Sequence, residues 1–506
     1  MNAISKYKGS IKLSAIGDAL GWITEFERNT TSLREKYGVE RIEKFYTWKK
    51  YVGGRFYGYL DNIKEGSYSD DTQLLLSVAR SIEKNGNVNQ DYFAKIELAN
   101  WLEYARGGGR TVKTAAEKIQ RKSVKWFSNF YKFKVNGKSY DYRQSGANGA
   151  AMRVLPIALA NLGDTNKIKE EIFCNSIVTH GHPRAILGAM LYGYAINKII
   201  TLDPKDFSWE NYLTHIGKNF PEKFALTFLD KYEIKEWLNE WNKSSEEPFE
   251  KIYSETLIET QNYLRLIYQQ IKQDTTVFDT LTKLGCYAPE TKGSGTSTVL
   301  AGIYLTLKYH NNPLQAVIEG VNSLGTDTDS IAAFTGGLIG ALHGQQIIPS
   351  KWKNVQDESY LNTISERLLA ISEDRYIEQT IQDFPSIKNI NDIKNDNLQI
   401  SDEVHFIPLG KGKIASIDRQ DTLTKGKYNV IIEIIFESNQ SIIISKLFNY
   451  SNENTQKNTD YKGDILKLAE KKLNPKNFAL FKKYIENKSI DNSLIKILQL
   501  IIENKE

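Results

Sequence analysis

Cysteine is almost missing from this chain of 506 residues, with only Cys174 and Cys286 present. Two thiols cannot staple a disulfide framework, which excludes a disulfide-built scaffold and leads us to expect a reducing cytoplasm. Both read as small buried hydrophobes. A strong charge of one sign is missing too. A formal net charge of +5 forces neither a nucleic-acid nor a membrane-surface reading, and it leaves nucleic acid open as a partner. No apolar run approaches the length of a membrane span, so no membrane partner is expected. The most aliphatic stretch, Val154 to Leu162, has the length of a core helix. Met1 to Lys8 lacks the basic-then-apolar order of a signal peptide. No internal repeat is present. What remains, 41% hydrophobic and 25% charged, is the composition of a soluble globular protein long enough for more than one domain.

From residue 1 to about 375 the periodicity is almost wholly helical. Asp71 to Ile82 sets Leu74, Leu75, Val78, Ala79 and Ile82 on one side. Gly295 to Lys308 and Ala316 to Val321 follow the same pattern. Ile331 to Leu342 is dense in Ala and Gly, which suits a buried central helix approached closely by its neighbours. Loops rich in Gly, Ser or Asn precede several helices, around Gly17, Gly107 to Gly109, Gly146 to Gly149 and Gly293 to Gly295. The texture changes after about residue 375. Residues 376–400 read as a linker or short helices. Residues 401–506 read as a small α+β domain: β-branched runs at Tyr428 to Phe436 and Ser441 to Ser445, a hairpin gap at Glu437 to Gln440, a polar mobile loop at Ser451 to Asp460, and Lys-rich helices from Asp464.

Two acidic clusters stand out. Ser69-Asp70-Asp71-Thr72 and Asp327-Thr328-Asp329-Ser330 each lead directly into an apolar helical pattern. Taken singly, each is a helix N-cap with acids in its first turn, favourable to the macrodipole. Taken together, four carboxylates and two hydroxyls form a hard oxygen site that suits Mg²⁺ or Mn²⁺ rather than zinc. Adjacent aspartates allow one to bridge two ions while the other serves one, and a metal pair orients substrate and water. Asp327-Thr328-Asp329 also has the look of a phosphatase-type Asp-x-Asp motif. That motif ends a buried strand, whereas Ile318 to Ser323 continues a helix. An EF-hand is excluded by its missing Gly and distal Glu.

Gly146-Ala147-Asn148-Gly149 opens into a helix expected over Ala150 to Leu162. It is either an anion cradle fit for a diphosphate or a plain turn. Arg153 reads as structural. Asp18, in Gly17-Asp18-Ala19-Leu20-Gly21, reads as a buried hydrogen-bond acceptor, and Glu25 by itself as a solvated charge. Thr179-His180-Gly181-His182 lacks a nearby third zinc ligand, so His180 reads as a hydrogen-bonding or stacking group. Gly107-Gly108-Gly109-Arg110, before a helix from about Lys113, is a substrate loop or a connection.

In this order along the chain, Gly17 to Gly21 with Glu25, Ser69 to Thr72, Gly146 to Arg153, Thr179-His180 and Gly325 to Ala333 resemble the ADP-ribosylglycohydrolase family over roughly residues 8 to 345. The resemblance implies an orthogonal all-helical bundle, mainly α, with a binuclear Mg²⁺ site for which Mn²⁺ can substitute. By matching positions the metal ligands are Ser69, Asp70, Asp71, Asp327, Asp329 and Ser330. Ser69 and Ser330 stand where the family often has Thr, and each keeps the hydroxyl oxygen. Glu25 falls on the family's glutamate near the metals, and with Asp70, Asp71 and Asp329 it forms the implied catalytic set. Gly146, Ala147, Asn148 and Gly149 fall on the diphosphate and distal-ribose loop, and His180 near the adenosine end.

The implied activity is hydrolysis of the C1″ glycosidic bond of ADP-ribose on an acceptor, with an arginine side chain slightly favoured. The partner is then an ADP-ribosylated protein or other ADP-ribosylated acceptor. A non-catalytic ADP-ribose-binding or immunity protein, and a hydrolase of a free ADP-ribose derivative, are the alternatives. The C-terminal region, unmatched in the family core, is expected to bind a target or partner.

Overall fold

The computed structural model describes residues 2–135, 137–376, 388–394 and 396–450, together with 466, 469–470, 472–473 and 475–486. They divide into two compact units. The first holds residues 1–52, 59–418 and 430–446, and the second holds 53–58, 419–429 and 447–506.

The first unit is built on one antiparallel helix pair. Ala3–Thr24 is buried along nearly its whole length, and Thr328–His343 is buried from Thr328 to Leu342. Both are rich in small residues, and the backbones touch at those positions. A Cβ on Gly340 would lie 2.1 Å from the Gly9 carbonyl oxygen, on Gly336 2.0 Å from that of Leu13, on Gly17 2.2 Å from that of Ala332, and on Gly21 2.4 Å from that of Thr328. These contacts recur every four residues, one helix ascending as the other descends, which is the spacing of one face of a helix. Cross-links stitch the ladder. The Ser10 hydroxyl donates to the Gly337 carbonyl at 2.8 Å, the Thr328 hydroxyl to the Gly21 carbonyl at 2.9 Å and the Thr24 hydroxyl to the Thr328 hydroxyl at 3.1 Å. One further step along this ladder brings Glu25, the C-cap of the first helix, to the loop that precedes Thr328.

Other helices lie around this pair as the sequence predicts, at Asp70–Ser81, Gly295–Lys308 and Pro313–Val321. The segment expected as one helix over Ala150 to Leu162 departs from expectation. It is a 3₁₀ turn, Asn148–Arg153, followed by a short α-helix, Leu155–Ala160. Pro156 has no N–H for a helix arriving from residue 150, so it restarts the helix as an N-terminal residue.

The region is also less purely helical than its periodicity suggests. Two antiparallel hairpins interrupt it, Trp48–Val52 with Tyr59–Ile63 and Lys132–Val135 with Lys138–Asp141. The first is carried by alternation, with Lys50 opposite Asp61 and Tyr51 opposite Leu60.

Downstream lies a five-stranded sheet in sequential order, Lys388–Asn389, Glu403–Phe406, Gly410–Asp421, Lys427–Phe436 and Ser441–Asn449. The hairpin over residues 428–445 appears where the β-branched runs place it. The strands at 403–406 and 410–421, interrupted by Gly and Lys, are additions to the sequence reading. The compact units do not break at 375 or 400. Residues 388–418 and 430–446 cluster with the helices.

Within the second unit, the Thr424 backbone N–H donates to the Phe56 carbonyl at 3.2 Å, the Asn429 side chain donates to the Tyr57 carbonyl at 2.8 Å, and Tyr428 lies against Tyr450. This unit also holds the helix Pro475–Glu486. The loop expected at Ser451 to Asp460 lies outside the described residues. Among the described residues, no helix is long and apolar enough to cross a membrane. Cys174 and Cys286 are both free.

Candidate metal and substrate cleft

Ser69 is the N-cap of the Asp70–Ser81 helix, with extended backbone, and its hydroxyl accepts from the Asp71 N–H at 3.3 Å. Its own N–H donates to both carboxylate oxygens of Asp18, at 3.0 and 3.2 Å. Asp18 Oδ2 also accepts from the Thr72 N–H and hydroxyl, at 3.0 and 2.6 Å. Asp18 is therefore the fully buried acceptor that the sequence predicts. It satisfies donors at the start of the Asp70–Ser81 helix and leaves Asp70 and Asp71 free of that duty.

On the opposite wall, Asp327 precedes the Thr328–His343 helix, and Asp329 lies in its first turn. The Ser330 N–H donates to Asp329 Oδ1 at 2.8 Å, and the Ser330 hydroxyl donates to Asp71 Oδ2 at 2.7 Å. That last bond joins positions 259 residues apart. It brings together the two clusters that the sequence keeps far apart. The Asn148 side chain extends the group, donating to Asp327 Oδ2 at 3.2 Å.

Electrostatics mark this cleft as a place where negative charge is concentrated. Burial, then the neighbouring Asp327, Asp70 and Asp18, push the Glu25 carboxyl up to about 8 against the pull of Lys50. Burial and then Asp18 push Asp70 up to about 7. Burial, then Asp18 and Asp70, hold Asp71 well above the usual carboxylate range, and burial, then Glu25 and Asp327, do the same for Asp329. Carboxylates buried together disfavour ionisation unless positive charge joins them.

Two glycines in left-handed conformation wall the group. A Cβ on Gly107, at φ 94°, would lie 2.8 Å from Asp70 Oδ1, and one on Gly293, at φ 73°, would lie 2.6 Å from Asp327 Oδ2. Any side chain there would fill space beside carboxylate oxygens. The donor set is all hard oxygen, it is acid-rich, and it has room kept clear beside it. This chemistry fits a hard divalent cation. Among the described residues, no three acidic, His or Cys side chains stand in the closed array of a bound ion. The fit therefore rests on donor type and crowding of charge.

The remaining predicted residues join this group through Asn148 and its neighbours. Gly146 and Asn148 pair with the Gly293–Gly295 loop: Asn148 N–H donates to the Gly293 carbonyl and Gly295 N–H to the Gly146 carbonyl, both at 2.9 Å. The Asn148 N–H is thus occupied by protein. Ala147 is exposed and bridges to Ser294. Gly149 packs directly on His180, whose Cε1 would stand 2.8 Å from a Cβ there. His180 is buried, its Nδ1 bonds the Thr179 hydroxyl at 2.8 Å, and its Nε2 has no protein partner. Burial and then Arg153 hold its pKa well below the usual range, so the ring is neutral.

Arg153 is structural, donating to the Asn175 side chain at 2.8 Å, to its carbonyl at 2.7 Å and to the Gly149 carbonyl at 2.8 Å. His182 caps the Pro183–Ile199 helix rather than facing His180 across a metal. The sequence reading missed Lys50 and Trp22. Lys50 lies 3.7 Å from the Phe26 ring centroid and feels Glu25, Asp329 and Asp70. Trp22 packs edge-on against Trp48. The alternation of Trp48 to Val52 was the available signal. The second strand is anchored by Asp61, which takes a two-pronged bond from Arg106 at 3.0 Å on each oxygen.

The ADP-ribosylglycohydrolase family model matches residues 1–378 of the chain. ADP-ribosylarginine hydrolase Tri1 of Serratia proteamaculans is 22% identical over 371 residues, covering 71% of this chain and 78% of that protein. ADP-ribosylhydrolase ARH3 of Xenopus tropicalis is 26% identical, covering 69% of this chain and 90% of that protein. ADP-ribosyl-[dinitrogen reductase] glycohydrolase of Rhodospirillum rubrum is 28% identical over 187 residues, 37% of this chain and 55% of that protein.

Proposed function

The chain belongs to the ADP-ribosylglycohydrolase family, and from that premise we propose that it is a two-metal hydrolase that releases ADP-ribose from an acceptor by cleaving the C1″ glycosidic bond. The observation that carries this reading is the Ser330–Asp71 hydrogen bond at 2.7 Å, which ties both oxygen-donor clusters into one cleft. Ser69, Asp70, Asp71, Asp327, Asp329 and Ser330 would hold two Mg²⁺, or Mn²⁺ in their place. Ions bound there supply Lewis-acid charge for the ribose hydroxyls and lower the pKa of a water.

The protein's own groups do the rest. Glu25, buried beside the acid clusters, exchanges a proton with the attacking water or the leaving acceptor. The carboxylates of the cleft stabilise the positive charge that grows on the sugar as the bond breaks. The Gly146–Gly149 loop seats the diphosphate, where Gly149 lets the chain lie on His180. The neutral His180 offers its unpartnered Nε2 to the nucleoside side. The likeness to the Serratia hydrolase named for ADP-ribosylarginine slightly favours arginine as acceptor, with an ADP-ribosylated protein as partner. Two free cysteines suit the cytoplasm.

The test is mass spectrometry of products from ADP-ribosylated arginine, serine and nucleobase substrates, with and without EDTA. Release of ADP-ribose from at least one, abolished by EDTA and restored by Mg²⁺, is expected. Release from none, or release indifferent to EDTA, contradicts the reading.

A further inference from the structure

The sheet after residue 388 lies beyond the family match, yet its first-unit portion reaches the helix that carries Asp70 and Asp71. The turn between its last two strands ends in Gln440 and Ser441; Gln440 bonds the C-terminal end of that helix directly, and Ser441 reaches toward its N-terminal end through Asp357 and Tyr68.

At the N-terminal end, Tyr68 directly precedes the Ser69 cap and is fully buried. Its hydroxyl donates to Asp357 Oδ2 at 2.6 Å. The other oxygen, Asp357 Oδ1, accepts from the Ser441 N–H at 3.0 Å and from the Ser441 hydroxyl at 2.6 Å. Asp357 precedes the Glu358–Ser372 helix with a left-handed backbone, φ 58°, and makes no capping bond to that helix. A carboxylate in this position ordinarily caps its own helix; this one is turned to Tyr68 and Ser441 instead. Gln356 reinforces the link, its N–H donating to the Gly66 carbonyl at 2.9 Å and its side chain to the Ser441 hydroxyl at 3.2 Å.

At the C-terminal end, Arg80 makes a two-pronged pair with Glu97, 2.7 Å on each oxygen, and donates to the Gln440 side chain at 2.7 Å. Gln440 is itself buried. Buried polar groups of this kind hold a segment in one geometry because each lost bond leaves an unpaired partner.

We infer that the appended sheet positions the metal ligands: Ser441, acting through Asp357 and Tyr68, fixes where Ser69, Asp70 and Asp71 stand, and Gln440 fixes the far end of their helix. Tyr68, Asp357 and Ser441 are positioning residues, outside the donor set but in register with it. The inference rests on the metal site proposed above. Outer partners that orient metal ligands change metal affinity when removed, by about 10–100-fold, and a strut that merely holds the fold together does not.

The experiment uses the full chain and titrates Mn²⁺ by calorimetry, with thermal unfolding measured alongside. Tyr68→Phe, which removes one oxygen, and Ser441→Ala are each expected to weaken Mn²⁺ binding about tenfold or more. In both, the Mn²⁺ concentration for half-maximal turnover should rise while turnover at saturating Mn²⁺ stays near that of the parent. Ser441→Thr, which keeps the hydroxyl, should restore the affinity. Tyr68→Phe decides alone should Ser441→Ala fail to fold. Asp329→Ala separates the two layers of the account. Lost Mn²⁺ binding in Asp329→Ala, with affinity unchanged within twofold in Tyr68→Phe and Ser441→Ala, overturns the positioning role and leaves the metal site standing. Parent-like Mn²⁺ binding in Asp329→Ala overturns both.

Discussion

The helix pair and the acid cleft at its end, to which the Asp70–Ser81 helix adds Asp70 and Asp71, follow opposite rules. Along the pair, Gly9, Gly17, Gly21, Gly336 and Gly340 let backbones touch, and the Ser10 and Thr328 hydroxyls each bond a carbonyl of the partner helix. Every local choice there agrees with the fold. At the end of the pair, Glu25 and Asp329 crowd together with Asp70 and Asp71 from the Asp70–Ser81 helix, with burial raising the pKa of each. Such a place is stable only because the rigid pair holds it. A sequence consistent with its fold nearly everywhere breaks the rules where it does chemistry. The close packing sets the distance between Glu25 and the second cluster, and the cleft uses it.

The sharpest way to break the comparison is to alter the cleft and leave the pair alone. Asp70→Ala and Asp329→Ala should each lower turnover by roughly 10²–10³-fold, as loss of a preorganised charge does, with an unchanged helical circular-dichroism spectrum. Near-parental turnover in both, with Mn²⁺ in excess, would sink the assignment. The converse alters the pair. Gly336→Ala would set a Cβ 2.0 Å from the Leu13 carbonyl oxygen, so the helices must spread. The expected cost is about 1–3 kcal/mol or more, seen as a lower midpoint in urea, and turnover should fall because Glu25 moves from its partners. A variant as stable as the parent would show that the backbones are not in contact.

A third test is in pH. Glu25 titrates at about 8 in the folded protein against 4.5 ordinarily, so between those values the folded state binds more protons than the unfolded state. Its contribution to stability is complete below pH 4.5 and is lost as pH rises through 8. EDTA-treated protein should therefore lose urea resistance between pH 5 and pH 8, and Glu25→Gln should flatten that slope. A slope unchanged by the substitution would show that Glu25 is not held among the acids.

Much of this was legible in the residues. The helices at Asp70–Ser81, Gly295–Lys308 and Thr328–His343 follow from apolar spacing, and the Ala and Gly of the last announce its close packing. Asp18 was readable as a buried acceptor because it sits between two small residues before a helix-borne acid cluster. The break at Pro156 was readable as well, and the longer helix expected there ignored a missing N–H. Other features depend on pairings between distant segments, which no local pattern encodes. Lys50 reaches the cleft only because a hairpin folds back over Trp22 and Phe26. Gln440 and Ser441 look like solvated turn residues until Arg80 and Asp357 are seen opposite them. The β-branched runs that suggested a separate domain say nothing of the bonds that Gln440 and Ser441 make to Arg80 and Asp357, and residues 430–446 fall in the same compact unit as the helices.

One titration tests the core of the account. Mn²⁺ added to EDTA-stripped protein, followed by calorimetry and located by anomalous scattering, should bind as two ions between Ser69–Asp71 and Asp327–Ser330. No bound Mn²⁺, or Mn²⁺ held anywhere else, would contradict it.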